Sequence, residues 1–451
     1  MRTVLILGGL CLLMTGSNLD AEDVSGGGTQ DASSASIEIG KAWSGFPVQF
    51  ALSNRGPWSV IGYYDGDGIL TIALWNSSTH QLSRSQLPER LGWDSHNGIS
   101  VAMDELGFLH VAANMHDTPL KYYVSNDRFS VGSFHRVEHM TGVNENSITY
   151  PRFFEMQNGR LAFQSRFGKS GSGGIDLKIY NAGTSSWREA VPGGTLLDGQ
   201  GRMSPYPTDV ELGPDGNYHV AWVWRDTPAA ETSHDVYYAW SPDLLHWQSA
   251  GGSSLDTPIS DRGPALVDRV PSGGGVINGL LKIGYDNKER AILSYHKYDK
   301  GGNSQIFNAR FVDQSWLIKQ ISSWNWRWSF GGLGSFGFDI AIEPPIATKE
   351  NTLVEQFATK AGGKGAWIVD PDSLNVIGFR SFEYPIPANA VRPRYGLAGA
   401  ATRYVYAAGE ANDKSGLFLR WESMPLNRDR PSAVKPKPSD LLLLNNPSRA
   451  R

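Results

Sequence analysis

Cysteine is nearly missing from this sequence, and the single one, Cys11, falls in the first dozen residues. Beyond it, neither a disulfide framework nor a cysteine-based metal site can be built. An excess of positive charge is also missing. The formal net charge is -4, so the bulk balance gives no reason to expect nucleic acid, and an anionic ligand would have to be met by a local basic patch. After the N-terminus no run is apolar enough to span a bilayer, and no long amphipathic helical pattern interrupts the chain. Several catalytic signatures are absent too. There is no helical His-Glu-x-x-His of the zinc hydrolases. Gly171-Ser172-Gly173 lacks the register and the strand-to-helix context of a serine nucleophile elbow. Lys169 to Gly174 is not a phosphate-binding loop, because no Gly-Lys-Ser/Thr follows a strand at the right spacing. Glycoside hydrolysis needs two carboxylates across the scissile bond. Asp94, Asp117, Asp209 and Asp226 are available, but no pair stands out.

What is present begins with a basic Met1-Arg2, an apolar run from Val4 to Met14 and small residues after it. This reads as a secretory leader over residues 1–21, and the expected location is secreted or periplasmic. Residues 22–38 read as a Gly/Ser/Asp-rich spacer, residues 39–428 as the folded domain, and residues 429–451 as a peripheral tail.

The 51 glycines and 25 prolines point to many tight turns, and a weak internal repeat shows where they fall. Gly68 to Trp75, Gly107 to Asn114, Gly159 to Arg166 and Gly216 to Val223 each start at a turn and continue as an alternating strand. Glu289 to His296 is a fainter copy. A turn feeding an alternating strand is the short-range signature of an antiparallel hairpin. Irregular repeats of about 40 to 70 residues fit propeller blades with loop insertions better than a solenoid. The predicted fold is all-β, a seven-bladed β-propeller with blades of about 58 residues. Ser241 to Trp247 resembles the Asp-box turn of sialidase-type propellers without its usual glycine.

Counted from the turn residue, His116 and Arg225 stand at the ninth position, Arg166 and His296 at the seventh. Side chains two apart on a strand share a face. These four should therefore leave their strands in the same sense, toward one mouth of the ring. His110 and His219 share the third position and read as packing residues that repeat with the fold.

Candidate chemistry concentrates in His96, His116, Tyr150 and Arg166. The two histidines bracket one strand, and the tyrosine and arginine lie on the next unit. His or Tyr can move protons, and Arg can neutralise an acid. Together they form a set able to remove a proton beside a carboxylate without a metal. The Gly/Ser loop after Arg166 would let a ligand approach backbone N–H groups.

The segments Asp94 to Ser100, Gly107 to His116, Glu138 to Pro151, Arg166 to Gly173 and Trp222 to Pro228 resemble the BNR-repeat propellers. Within them the chain is most similar to the seven-bladed ulvan lyases of polysaccharide lyase family 25, with family 24 a neighbour. The resemblance covers about residues 40–425 and implies β-elimination at the rhamnose–uronate linkage of ulvan, leaving an unsaturated uronyl end. By it, His96 would be the base that takes the C5 proton, and Tyr150 the acid that protonates O4. Tyr150 would do both jobs if the two atoms lie on one face. Arg166, helped by His116, would pair with the uronate carboxylate. Asn97, Tyr206 and Arg225 would bind substrate, with Arg225 meeting either a sulfate or the carboxylate. No cofactor would be required for catalysis. A structural metal ion, known in some members, would need His, Asp or carbonyl ligands that the sequence does not locate. The expected partner is the anionic sulfated polysaccharide, with no nucleic acid or membrane, and the expected state is a monomer. Two other readings remain on the same fold. One is an α-L-rhamnosidase-type hydrolase and the other a non-catalytic glycan-binding propeller.

Overall fold

The computed structural model describes residues 36–261, 263–391, 393, 399–409, 415–433 and 436–446. The expected leader and most of the expected spacer lie outside the described residues. The repeating turns seen in the sequence become one recurrent structure. The backbone N–H of Gly68, Gly107, Gly159, Gly216 and Glu289 each donates to the carbonyl three residues earlier, at 2.8 to 3.1 Å. All five have positive φ. At Gly107 φ is +92°, where a side chain would be strained. Glu289 occupies the same turn at +63°. It carries a Cβ there at a cost of about 1–2 kcal/mol, which is why this copy of the repeat is hard to see. Asp65, Asp104 and Asp286 brace three of these turns by accepting two backbone N–H bonds each.

The strands that follow assemble into six sheets, built mainly as antiparallel meanders. They run from Ala51–Arg55 through Gln81–Arg90, Ile99–Met103 through Phe134–Val137, Ile148–Glu155 through Ser186–Glu189, and Ser204–Pro207 through Ser254–Leu255. A nine-stranded sheet comes next. It consists of two meanders, Leu281–Tyr285 through Ser315–Gln320 and Ile346–Ala347 through Val376–Arg380, joined by a single parallel bridge between Tyr285 and Ile346. The first strands of successive units touch one another, Ala51–Arg55 against Ile99–Met103 and that against Ile148–Glu155. This is the inner wall of a propeller-like arrangement. The only α-helix among the described residues is the single turn Ala388–Val391, and no described helix is long and apolar enough to cross a membrane.

The last sheet corrects one expectation. The described part of residues 429–451, which were expected to form a peripheral tail, contributes a strand to this sheet. Ser439–Asn445 is a strand that pairs with Leu417–Ser423 on one side and with the first strand, Ile37–Ala42, on the other. Leu441 to Leu444 are all buried. A strand covered on both faces shows no alternation of apolar and polar residues, so the run of four leucines carried no visible strand signal. The spacer is also shorter than expected, because the strand begins at Ile37.

The apolar core lies in layers between neighbouring sheets. One layer joins Ala112 and Tyr122 to Ile148, Phe163 and Trp187. Another joins Ile175 and Leu197 to Trp222 and Tyr237. His110 and His219 pack within such layers, as their shared position predicted. Each bonds a tyrosine hydroxyl through Nδ1 (Tyr122 and Tyr238, both 2.6 Å) and an aspartate through Nε2 (Asp104 and Asp215). The Asp-box-like turn also forms. The Asp243 carboxylate accepts the N–H groups of Leu245 and His246 while Trp247 is buried beneath.

Candidate active site

The site starts at a loop and a strand end. Trp93 to Asn97 lead into the strand Ile99–Met103, and Met115 to Asp117 leave the strand Leu109–Ala113 that pairs with it. The hairpin therefore returns His116 to His96. Asp94 fixes both. Its Oδ1 accepts the backbone N–H of His96 at 2.9 Å and His96 Nδ1 at 2.7 Å. Its Oδ2 accepts His116 Nδ1 at 2.6 Å. The two imidazoles stack with centroids 4.1 Å apart. Burial alone would push the Asp94 carboxyl up, but the imidazole N–H groups and the backbone N–H hold it well below the usual carboxylate range. An ionised carboxylate can only accept, so each Nδ1 carries a proton.

Tyr150 stands next to this pair, its ring 6.0 Å from that of His96. It lies in the strand Ile148–Glu155, where the ladder to Leu161–Lys169 slips between Thr149 and Arg152. Pro151 cannot donate to a ladder, and Tyr150 takes φ +56°. A bulky residue in the left-handed region inside a strand is a local strain held by its surroundings, of a kind that clusters at functional sites. The bulge re-aims the side chain. Tyr150 is 43% exposed, yet its phenol is pushed up to about 12. Loss of hydration is the main cause, opposed by the Arg166 and Arg225 charges. It is a protonated phenol at neutral pH.

Arg166 is buried, with its guanidinium 5.0 Å from the Tyr150 ring. Nη1 donates to the Tyr206 hydroxyl at 3.0 Å and Nη2 to Thr149 Oγ1 at 3.1 Å. Nε is buried without a hydrogen-bond partner among the described residues. Tyr206 is shared further. Its hydroxyl lies 2.6 Å from Ser170 Oγ, and its ring lies 3.8 Å beneath the Arg225 guanidinium. Burial raises the Tyr206 phenol, but Arg166, Arg225 and the Ser170 bond outweigh it, and the net direction is down. Arg225 is itself anchored to Ser233 Oγ and Asn278 Oδ1. Six of the seven predicted residues thus form one run of contacts from His116 to Arg225.

Asn97 stands apart from that run. Its backbone carbonyl accepts the Tyr64 hydroxyl at 2.8 Å, which fixes the loop. His296 shares the parity of the site residues but does not join them. It is fully buried against Tyr298 and Trp328 and bonds the Gly275 carbonyl at 2.5 Å. Strand parity chose its face, and the aromatic segment Trp324 to Phe338 covers it. The Gly/Ser loop is no open cradle either. Lys169 pairs with Ser172 across a tight hairpin, and a Cβ on Gly171 would come within 2.9 Å of Thr227 Cα. Its glycine allows two chain segments to touch. Among the carboxylates, Asp209 pairs with Arg152 and Asp226 with His234. The sequence reading missed Asp94 as the organiser of the histidines. An Asp two residues before a His is a usable signal, because Asp side chains bond their own backbone two residues on.

Asp94, His96 and His116 also bring one possible ligand atom each within 4.8 Å of one another, the only such group among the described residues. An ion held at the Nδ1 atoms would displace the imidazole N–H donors from Asp94, whereas one held at Nε2 would leave Asp94 orienting both rings.

Residues 58–324, which hold every residue of this run, match the model of the BNR repeat-containing family. The chain belongs to that family. No curated protein sequence matches it. Its BNR-repeat fold is shared with solved polysaccharide lyases. One is a family 25 ulvan lyase bound to -[GlcA(1-4)Rha3S]-, with a TM-score of 0.60 at 13% identity over 91% of this chain and 96% of that one. Another is the polysaccharide lyase Uly1, with a TM-score of 0.59 at 14% identity over 92% and 94%. At such identities the likeness is one of fold.

Proposed function

We propose that this BNR-repeat protein is an exported polysaccharide lyase that cleaves the rhamnose–uronate linkage of ulvan by β-elimination. We read its six sheets as seven blades, the nine-stranded sheet counting as two. The observation that carries the reading is the continuity of the site. His116, His96, Tyr150 and Arg166 follow one another at 4.1, 6.0 and 5.0 Å, although they come from separate segments of chain. A base, an acid and an anion binder side by side are what elimination beside a carboxylate requires.

The proton on C5 of a uronate is weakly acidic until the neighbouring carboxylate is neutralised. Arg166, buried and with an unpartnered Nε, supplies that charge in a site where it is poorly screened, and His116 helps. His96 Nε2 takes the C5 proton. The electron pair forms the C4–C5 double bond and expels O4, which Tyr150 protonates. A phenol raised to about 12 holds its proton until a more basic oxygen develops. Tyr206 and Arg225 line the adjoining surface, where Arg225 meets a sulfate or a second carboxylate, and Asn97 contributes to binding from its loop. The chemistry is assigned to side chains alone, with any metal confined to a structural role.

The test is the ultraviolet absorbance of an ulvan solution after the purified protein is added without metal. A rise from the conjugated double bond is the expected outcome. New reducing ends without absorbance would make the protein a hydrolase, and neither signal on any uronate polysaccharide would make it a glycan-binding propeller.

A further inference from the structure

Asp429 lies beyond every segment that the site was built from, yet its carboxylate closes on the His96 loop. Oδ1 accepts the backbone N–H of Ser95 at 3.0 Å and its hydroxyl at 2.8 Å. Oδ2 accepts the N–H of Ser335 at 3.0 Å and its hydroxyl at 2.9 Å. The two serine oxygens are also in contact, so one hydroxyl proton is shared between that contact and the carboxylate. Asp429 Oδ2 stands 3.9 Å from His96 Nδ1. Three distant pieces of chain therefore meet at one carboxylate, directly behind the ring read above as the base.

The backbone bears a cost to make this meeting. Arg428 and Asp429 both take positive φ, +65° and +58°. Consecutive non-glycine residues in that region cost about 1–2 kcal/mol each and persist only where the surroundings over-determine them. The determinants are visible. Arg428 donates its N–H to the Ser335 carbonyl at 3.1 Å, and its guanidinium holds the carbonyls of Gly331 and Leu333. Burial raises the Asp429 carboxyl, but the N–H groups of Ser95 and Ser335 outweigh it and keep it ionised.

We propose that Asp429 is a positioning residue for His96, holding the Ser95–His96 loop so that the imidazole stays against Asp94 and facing Tyr150. This rests on the reading of His96 as the base. Asp94 sets which nitrogen carries the proton, and Asp429 sets where the ring stands. The charged and titratable groups around His96 are then Asp94, Asp429, His116 and Tyr150. A proton arriving on His96 is met by two carboxylates.

The experiment uses the full chain and compares Asp429→Asn with wild type. An amide offers one acceptor oxygen and cannot take four donors. The expected result is a kcat at least about tenfold lower with KM within about twofold, a cooperative melt lowered by a few degrees, and a crystal structure in which the His96 ring has left Asp94. An unchanged kcat, or a ring still seated on Asp94, would overturn the proposal. Should Asp429→Asn fail to fold, Ser335→Ala removes one bond of the four. It is expected to lower kcat by a smaller factor, and full activity there would overturn the proposal equally. If wild type makes no unsaturated product, the base assignment fails. The crystallographic arm still decides the positioning, supported by a displaced ring and refuted by an unmoved one.

Discussion

His96 and His116 stack with 23° between their planes and share one carboxylate. Neither ring is oriented independently. Asp94→Asn leaves at most one acceptor oxygen for two Nδ1–H donors and frees at least one imidazole. Elimination is expected to fall about 100-fold or more, within the range of general-base contributions, with substrate binding largely kept. Initial rates and a separate binding measurement on the variant check this. The same carboxylate links stability to pH. A group whose folded pKa lies below its unfolded value contributes stability above about pH 4. That contribution is lost as pH falls through the folded value. Urea unfolding between pH 7 and pH 3 should show a steeper acid loss for wild type than for Asp94→Asn.

Tyr150→Phe removes the one atom read as the acid and leaves the ring in its bulge. Loss of product of about 1,000-fold is expected, with the fold unchanged. Because the phenol sits near 12, the wild-type rate should show no loss from Tyr150 ionisation up to about pH 10. A falling limb near pH 8 that vanishes in Tyr150→Phe would contradict the assignment.

Arg166→Lys keeps the charge and loses the fork. A single ammonium cannot bond Tyr206, Thr149 and a substrate carboxylate in the same geometry. The variant should retain its melting temperature within a few degrees and lose at least about tenfold in kcat. A wild-type rate would show that charge alone suffices at this position.

Truncation after residue 433 removes the strand Ser439–Asn445 while keeping Asp429. Four buried leucines go with it, each worth about 1.5–3 kcal/mol. That sum is comparable with the whole stability of a typical domain, about 5–15 kcal/mol. The truncated chain is expected to be unfolded or aggregated, read by circular dichroism and size-exclusion chromatography. A cooperative melt near the wild-type temperature would show that the final strand is dispensable.

The legible parts of this molecule were local. Turn glycines, strand alternation and the histidines of the third repeat position could be read because each depends on neighbours a few residues away. Of the run from His116 to Arg225, only His116, Arg166 and Arg225 were legible from equivalent positions on repeating strands, while Tyr206 and the roles of His96 and Tyr150 rested on the family resemblance. What stayed hidden was non-local. Nothing near Asp429 announces that it meets Ser95 and Ser335. Nothing near His296 shows that Trp328 will cover it. The strand Ser439–Asn445 read as part of a peripheral tail because its partners, Leu417–Ser423 and Ile37–Ala42, lie elsewhere in the sequence.

The pairing of the first strand with the last has a consequence for how the molecule comes into being. Lys41 and Asp440, bonded across that sheet, are separated by 399 positions. Until the final strand is available, the earliest one has an open edge, and an open edge invites pairing with other chains. Contacts this distant form slowly. The newborn polypeptide must therefore carry Ile37–Ala42 unmatched until Ser439–Asn445 has been made, and the clasp shuts only when those leucines arrive.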